Sequence, residues 1–108
     1  MAKKAISDKT KEQVKTAVAA YNKELNNDNL YFLPEFRGKF LYLKRYTWGR
    51  LEPICRLTYC GEMDNWEFAI YKYSTETYDP NEWIFPGSEF VNGTVQGAME
   101  AGMTAYRP

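Results

Sequence analysis

Three segments of this chain alternate in character with a period of two, and that alternation limits the fold more than any other feature. They are "KFLYLKRYT" (39–47), "ICRLTYC" (54–60) and "WEFAIYKYS" (66–74). Successive side chains of a strand point to opposite faces, so alternate positions share one environment. Each segment is rich in β-branched or aromatic residues and bounded by Gly, Pro, Asn or Asp, the pattern of strands joined by turns. Antiparallel pairing about Arg50 sets Leu43 opposite Leu57 and Leu41 opposite Tyr59. Pairing across "GEMD" sets Tyr59 opposite Trp66, Leu57 opposite Phe68 and Cys55 opposite Ile70. One face then holds Leu41, Leu43, Cys55, Leu57, Tyr59, Trp66, Phe68 and Ile70, which is a core face. The other holds Phe40, Tyr42, Lys44, Tyr46, Ile54, Arg56, Thr58, Glu67, Ala69, Tyr71 and Tyr73. That second face is aromatic with scattered charge, and it matches neither a plain core nor a plain solvated surface.

Helical periodicity flanks these strands on both sides. From Asp8 to Asn26, Val14, Ala17, Val18, Tyr21 and Leu25 form one apolar stripe. Ser7, Asp8 or Thr10 supplies the N-cap, Thr10 to Gln13 fits a capping box, and the "NNDN" run ends the helix. In "TVQGAMEAGMTAY", Val95, Ala98, Met99, Gly102, Met103 and Tyr106 recur at helical spacing, with Thr94 or Asn92 as cap. Gly97 and Gly102 weaken this helix intrinsically and allow close approach to the sheet. "LYFLPEF" is a short extra strand that Pro34 confines to an edge. "TETYDPNEWIFPGSEF" carries Trp83, Ile84, Phe85 and Phe90 among turn formers, so it is expected to fold back over the domain. The expected architecture is one α+β domain over 1–108: an antiparallel sheet of 3–4 strands with an N-terminal helix and a C-terminal helix, and residues 1–7 disordered. A chain of 108 residues accommodates one core of this kind.

Composition removes several chemistries. There is no histidine, which excludes Ser-His-Asp and Cys-His catalysis and most zinc sites. Cys55 and Cys60 fall on opposite faces of one strand, so they are expected as reduced thiols of a cytoplasmic protein. No metal and no cofactor is expected, and "GSEFVNG" and "GTVQG" lack the context of a phosphate or dinucleotide loop. Carboxylates at Glu62, Asp64 and Glu67, or at Glu76, Asp79 and Glu82, are expected as loop charges, and a non-enzymatic chain is expected. No apolar run nears the ~20 residues of a membrane span, and no secretory leader is evident.

The zero net charge divides unevenly. Residues 1–60 hold twelve Lys and Arg against six Asp and Glu, and residues 61–108 hold two against eight. Either the halves pair their charges on folding, or the domain presents one basic and one acidic surface suited to charged partners. Aromatics make up 17% of the chain, enough to raise the question of what the second face meets.

Three functional readings follow. The first is a binding or interaction module whose aromatic face is covered by its own loop and helix, or by a protein partner such as a second copy. The second is single-stranded nucleic-acid or RNA binding. Phe40, Tyr42, Tyr46, Tyr71 and Tyr73 would stack bases, and Lys44, Arg45, Arg50 and Arg56 would hold phosphate. The helix–strands–helix order matches double-stranded-RNA-binding domains, but the last helix lacks a lysine at its start. "WGR" (48–50) is similar to the tripeptide of a nucleic-acid-associated domain. The third is a small-molecule pocket lined by Tyr78, Trp83 and Phe85. No membrane partner is expected.

"CRLTYCGEMDNWEFAIYKYSTETYDPNEWIFPG" and "GTVQGAMEAGMTAY" resemble a family of small uncharacterised bacterial proteins sharing a Cys-Arg-Leu-x-Tyr-x-Gly…Trp-Glu-Phe-Ala-Ile-Tyr-x-Tyr-Ser…Tyr-x-Pro run. The resemblance covers most of residues 36–106. It implies a free-standing bacterial domain and carries over no activity, cofactor or site residue.

Overall fold

The computed structural model describes residues 5–108. Helix α1 (Asp8–Leu25) begins where the side chain of Ser7 accepts a hydrogen bond from the Thr10 amide. It ends at Asn26, whose left-handed backbone at φ 48° turns the chain out of the helix. Thr10 is not used in a capping box. Its side chain is buried and meets the Tyr59 hydroxyl at 3.3 Å. Ile6 is buried too, and its N–H bonds the Gly38 carbonyl. The chain is therefore anchored from Ile6 onward; residues 1–4 of the segment expected to be disordered lie outside the described residues.

Five strands follow rather than three or four: β1 (Leu30–Arg37), β2 (Phe40–Thr47), β3 (Arg50–Tyr59), β4 (Trp66–Lys72) and β5 (Thr77–Asp79). They form one antiparallel sheet in the order β1-β2-β3-β4-β5. Helix α2 (Val95–Ala105) follows a short 3-10 turn at Ser88–Phe90, with the Thr94 hydroxyl accepting from the Gly97 amide.

The β3–β4 register pairs Tyr59 with Trp66, Leu57 with Phe68 and Cys55 with Ile70, as the alternation predicts. The β2–β3 register differs from expectation by two residues: Leu41 faces Leu57 and Leu43 faces Cys55. The hairpin closes on Trp48-Gly49, both with positive φ (48° and 90°), so the turn is two residues long and not centred on Arg50. A slip of two leaves every side chain on its expected face, which is why the core assignment survives it.

One residue does change sides. The register shifts between Leu43 and Lys44, and Ile54 is the extra residue of a bulge in β3. Ile54 and Cys55 are consecutive, yet both are fully buried. Ile54 was expected on the aromatic face; the bulge turns it under α2. A Cβ at Gly102 would lie 2.4 Å from its Cγ2, so only glycine allows this approach.

Both helices pack on the leucine face. Val14, Val18 and Tyr21 of α1 and Val95, Ala98, Met99 and Ala101 of α2 close over Phe32, Leu41, Leu43, Leu57 and Ile70. Burying each of the larger aliphatic groups contributes about 1.5–3 kcal/mol over leaving it in water. The outer edge of the sheet at β1 is closed differently. Asn22 of α1 donates to the Phe32 carbonyl at 2.9 Å and accepts from the Phe32 amide at 2.7 Å. The side-chain amide takes the place of a neighbouring strand, and Pro34 removes the next donor of that edge strand. Cys55 and Cys60 are free thiols; burial pushes the Cys55 pKa up and keeps it protonated.

Candidate functional site on the aromatic face

The face opposite the helices is built from alternate residues of all five strands. Tyr31, Leu33 and Glu35 of β1 extend the expected set, followed by Phe40, Tyr42, Lys44 and Tyr46 of β2. Arg56 and Thr58 of β3, Ala69 and Tyr71 of β4, and Tyr78 of β5 complete it. Neither helix lies over this face, and the 80–91 segment reaches only one end of it. The expected cover by the C-terminal helix is absent because the glycines and small residues of α2 commit it to the leucine side.

The rings instead cover one another. Phe40 contacts Tyr42, Tyr42 contacts Tyr78 edge-on at 5.3 Å, and Tyr78 contacts Tyr71 at 5.0 Å. Tyr71 meets Tyr73, and Tyr73 meets Tyr106 beyond the end of α2. Tyr42 and Tyr78 belong to strands with two others between them, a spacing of roughly 14 Å at about 4.8 Å per strand. Their rings therefore lean toward each other above β3 and β4. The Tyr106 hydroxyl donates to the Tyr71 carbonyl, and the Tyr73 hydroxyl donates to the Pro53 carbonyl at 3.1 Å, which ties the far end down. Partial burial pushes the Tyr78 hydroxyl up to about 12, and Tyr73 and Tyr106 rise for the same reason.

Arg56 sits in the middle of this arrangement. Its guanidinium carbon is 4.7 Å from the Phe40 ring centre and 5.7 Å from that of Tyr78. Two aromatic faces hold it by cation–π attraction and restrict its orientation. Its Nε is buried and has no hydrogen-bond partner among the described residues. A buried donor left unmade costs about 1–3 kcal/mol. Beside Arg56 opens a groove of about 490 Å³, lined by Lys39, Phe40, Thr58, Ala69 and, from the far side, Pro80 and Trp83. Trp83 is 66% exposed and forms an outer wall. Ala69, at 3% exposure, is the small residue that keeps the floor low between Arg56 and the edge of β4.

The expected basic set separates on folding. Arg45 lies on the leucine face with 1% exposure, its Nε donating to the Thr47 hydroxyl at 2.8 Å. One terminal nitrogen meets Glu52 at 3.3 Å and the other the Met103 sulfur at 3.6 Å. It cannot touch a ligand on the aromatic face, and its inclusion there is corrected by the parity it shares with Leu41 and Leu43. Lys44 is on the aromatic face but is held by Glu35, which also faces Arg37; these cations hold the Glu35 carboxyl below its usual range. Arg50 is exposed at the hairpin end, away from the groove. Tyr46 stacks on Tyr31 at 5.0 Å.

The expected trio of Tyr78, Trp83 and Phe85 is also divided. Phe85 stacks on Phe68 at 5.8 Å and joins the core, because the loop passes round the β4–β5 edge to the helix side. Lys72 secures that passage through Glu82 at 3.0 Å and Asp79 at 3.7 Å. Only Trp83 remains at the groove. Lys39, Thr58 and Ala69 escaped the list of site residues, although the period-two pattern already put Thr58 and Ala69 on this face.

The charge halves do not pair with each other in these contacts. Arg37, Lys44 and Arg45 bond acids of the first half, and Lys72 bonds acids of the second. Among the described residues no cluster of His, Cys, Asp and Glu is placed to hold a metal ion, and no helix is long and apolar enough to cross a membrane. Comparison with protein-family models, with curated proteins and with solved structures finds no match to this chain.

Proposed function

We propose that this protein is a non-enzymatic binding module whose ligand occupies the groove beside Arg56 and places an anionic group on its guanidinium. The observation that carries the reading is the Arg56 side chain, clamped between Phe40 and Tyr78, its buried Nε lacking a partner among the described residues and the groove opening beside the residue. A guanidinium held in one plane is pre-organised for a carboxylate or phosphate. Lys39 adds a second cation at the same groove, where Glu67 is the one acid, and Phe40 and Trp83 supply apolar walls for a flat or aliphatic body. The volume falls in the range of ordinary ligand sites. The resemblance to a bacterial family and the two free thiols support a bacterial, cytoplasmic setting for this reading.

Nucleic-acid binding is the weaker reading. Two of the four cations it needs are engaged elsewhere, Lys44 with Glu35 and Arg45 with Glu52. The rings it would stack on are packed against each other, several of them edge-on. Titration of benzoate and phenyl phosphate, followed by tryptophan fluorescence, tests the proposal. Saturable quenching that weakens about tenfold in Arg56→Gln is expected. Absence of any saturable change at millimolar concentration, or equal binding by the variant, would overturn it.

A further inference from the structure

Exposed apolar groups are not spread evenly over this domain. Leu33, Trp48, Leu51 and Tyr73 are each 40–60% exposed, and the strand register gathers them at one end of the sheet. Tyr31, Tyr46 and Leu51 form one row across β1, β2 and β3 on the aromatic face. Leu33, Lys44 and Pro53 form the next row, and the Tyr73 hydroxyl bonds the Pro53 carbonyl beside it. Trp48 stands at the hairpin tip, a large ring at a left-handed position where Asn or Gly is usual. With the half-buried Tyr31 and Tyr46, these side chains offer on the order of 500 Å² of apolar surface, at the upper end of what one patch on a monomer exposes. Arg56 and Phe40 lie in the next two rows, toward the opposite end of the sheet, so this patch is independent of the ligand proposed there.

Charge on the same face is divided across the strands. The β1–β2 side carries Arg37 and Lys44 against Glu35, whereas the β4–β5 side carries Glu67, and Glu76 two residues before Tyr78, with no cation. We infer that a second copy of this chain covers the patch, sheet face to sheet face, about a two-fold axis running along β3. Such an axis exchanges the two edges of the sheet, so β1 of one copy lies over β5 of the other. Leu51 then meets Leu51 of the second copy on the axis, and Lys44 faces the Glu76 side. An axis running across the strands would instead bring Lys44 against Lys44 and Leu33 against Leu33, and like charges across an interface are costly. The zero net charge of the chain leaves no long-range repulsion between copies. Two such patches closing on each other bury about 1,000 Å², where specific interfaces begin, so the dimer is a weak one. Aligned sheets pack about 10 Å apart, a depth that interdigitating leucine and tyrosine side chains fill.

Sedimentation equilibrium of the full chain from micromolar to millimolar concentration tests this, with a monomer–dimer equilibrium expected. Leu51→Glu sets two carboxylates against each other on the axis and should weaken the dimer about tenfold or more. Leu51 is exposed in the single copy, so the urea midpoint of this variant at micromolar concentration should stay unchanged, which separates lost association from lost folding. Glu76→Lys should weaken the dimer about threefold at low salt. Isotope-filtered NOE spectra of mixed labelled and unlabelled chains should show contacts between Leu33 of one copy and Tyr73 of the other, and none between the two Leu33 side chains. A chain that stays monomeric at millimolar concentration would overturn the inference and leave the patch to a different partner. A dimer that either substitution leaves unweakened, or one with Leu33–Leu33 contacts, would overturn it by placing the interface elsewhere or on another axis.

Discussion

Arg45 and Arg56 are two arginines of neighbouring strands that point to opposite faces of one sheet, and their surroundings differ. Arg45 is enclosed beneath α2 and has a hydroxyl, a carboxylate and a thioether on its three nitrogens. Arg56 lies half-buried between two rings, and its Nε has no hydrogen-bond partner among the described residues. The first is a satisfied structural cation. The second is the arginine to which the proposal assigns a ligand. The same side chain is fully bonded on one face and incompletely bonded on the other, and the difference is what surrounds it.

The sharpest way to break this comparison is to remove each arginine in turn. Arg45→Ala leaves a partly buried Glu52 and an unfilled space, and should lower unfolding free energy by about 3–5 kcal/mol in urea titration. A loss under about 1 kcal/mol would mean that Arg45 is not the structural member of the pair. Gly102→Val puts a side chain where Ile54 already lies and should cost about 1–3 kcal/mol, visible as a lower Tm. Asn22→Ala strips both bonds from Phe32 and should cost a similar or smaller amount, about 1–2 kcal/mol, with faster exchange of the Phe32 amide as the local readout. Arg56→Gln should change stability by under about 1 kcal/mol while abolishing most ligand affinity.

A further prediction concerns pH. Tyr78 is held to about 12, so below pH 10 its hydroxyl is neutral in folded and unfolded chains alike and contributes no pH dependence. Above pH 10 the unfolded chain releases the proton first, and stability falls progressively as pH rises toward 12. Ultraviolet titration of tyrosinate should show a late-ionising group that becomes normal in urea.

Much of this was legible in the residues. The alternation of leucines with aromatics gave the two faces, because period two survives an error in register. The two-residue slip came from Trp48, a large residue in a left-handed turn where Asn or Gly is usual. The bulge at Ile54 left no mark in the pattern, since an inserted residue is read only against its partner strand. β5 is three residues long, too short to carry periodicity. Arg45 was misplaced by its chemical type although its position beside Leu43 put it under the helices. Arg56 lies on the aromatic face where the alternation put it, but its isolation from Lys44 and Arg45 depends on partners, Glu35 and Glu52, that sequence spacing does not connect.

The central claim is that Arg56, alone of the two, is poised for a ligand. The most direct measurement is the NMR signal of the Arg56 Nε–Hε group during titration with benzoate and with phenyl phosphate. The account predicts a saturable downfield shift of Arg56 with Arg45 unmoved. A shift confined to Arg45, or none at either arginine at saturating ligand, would contradict it.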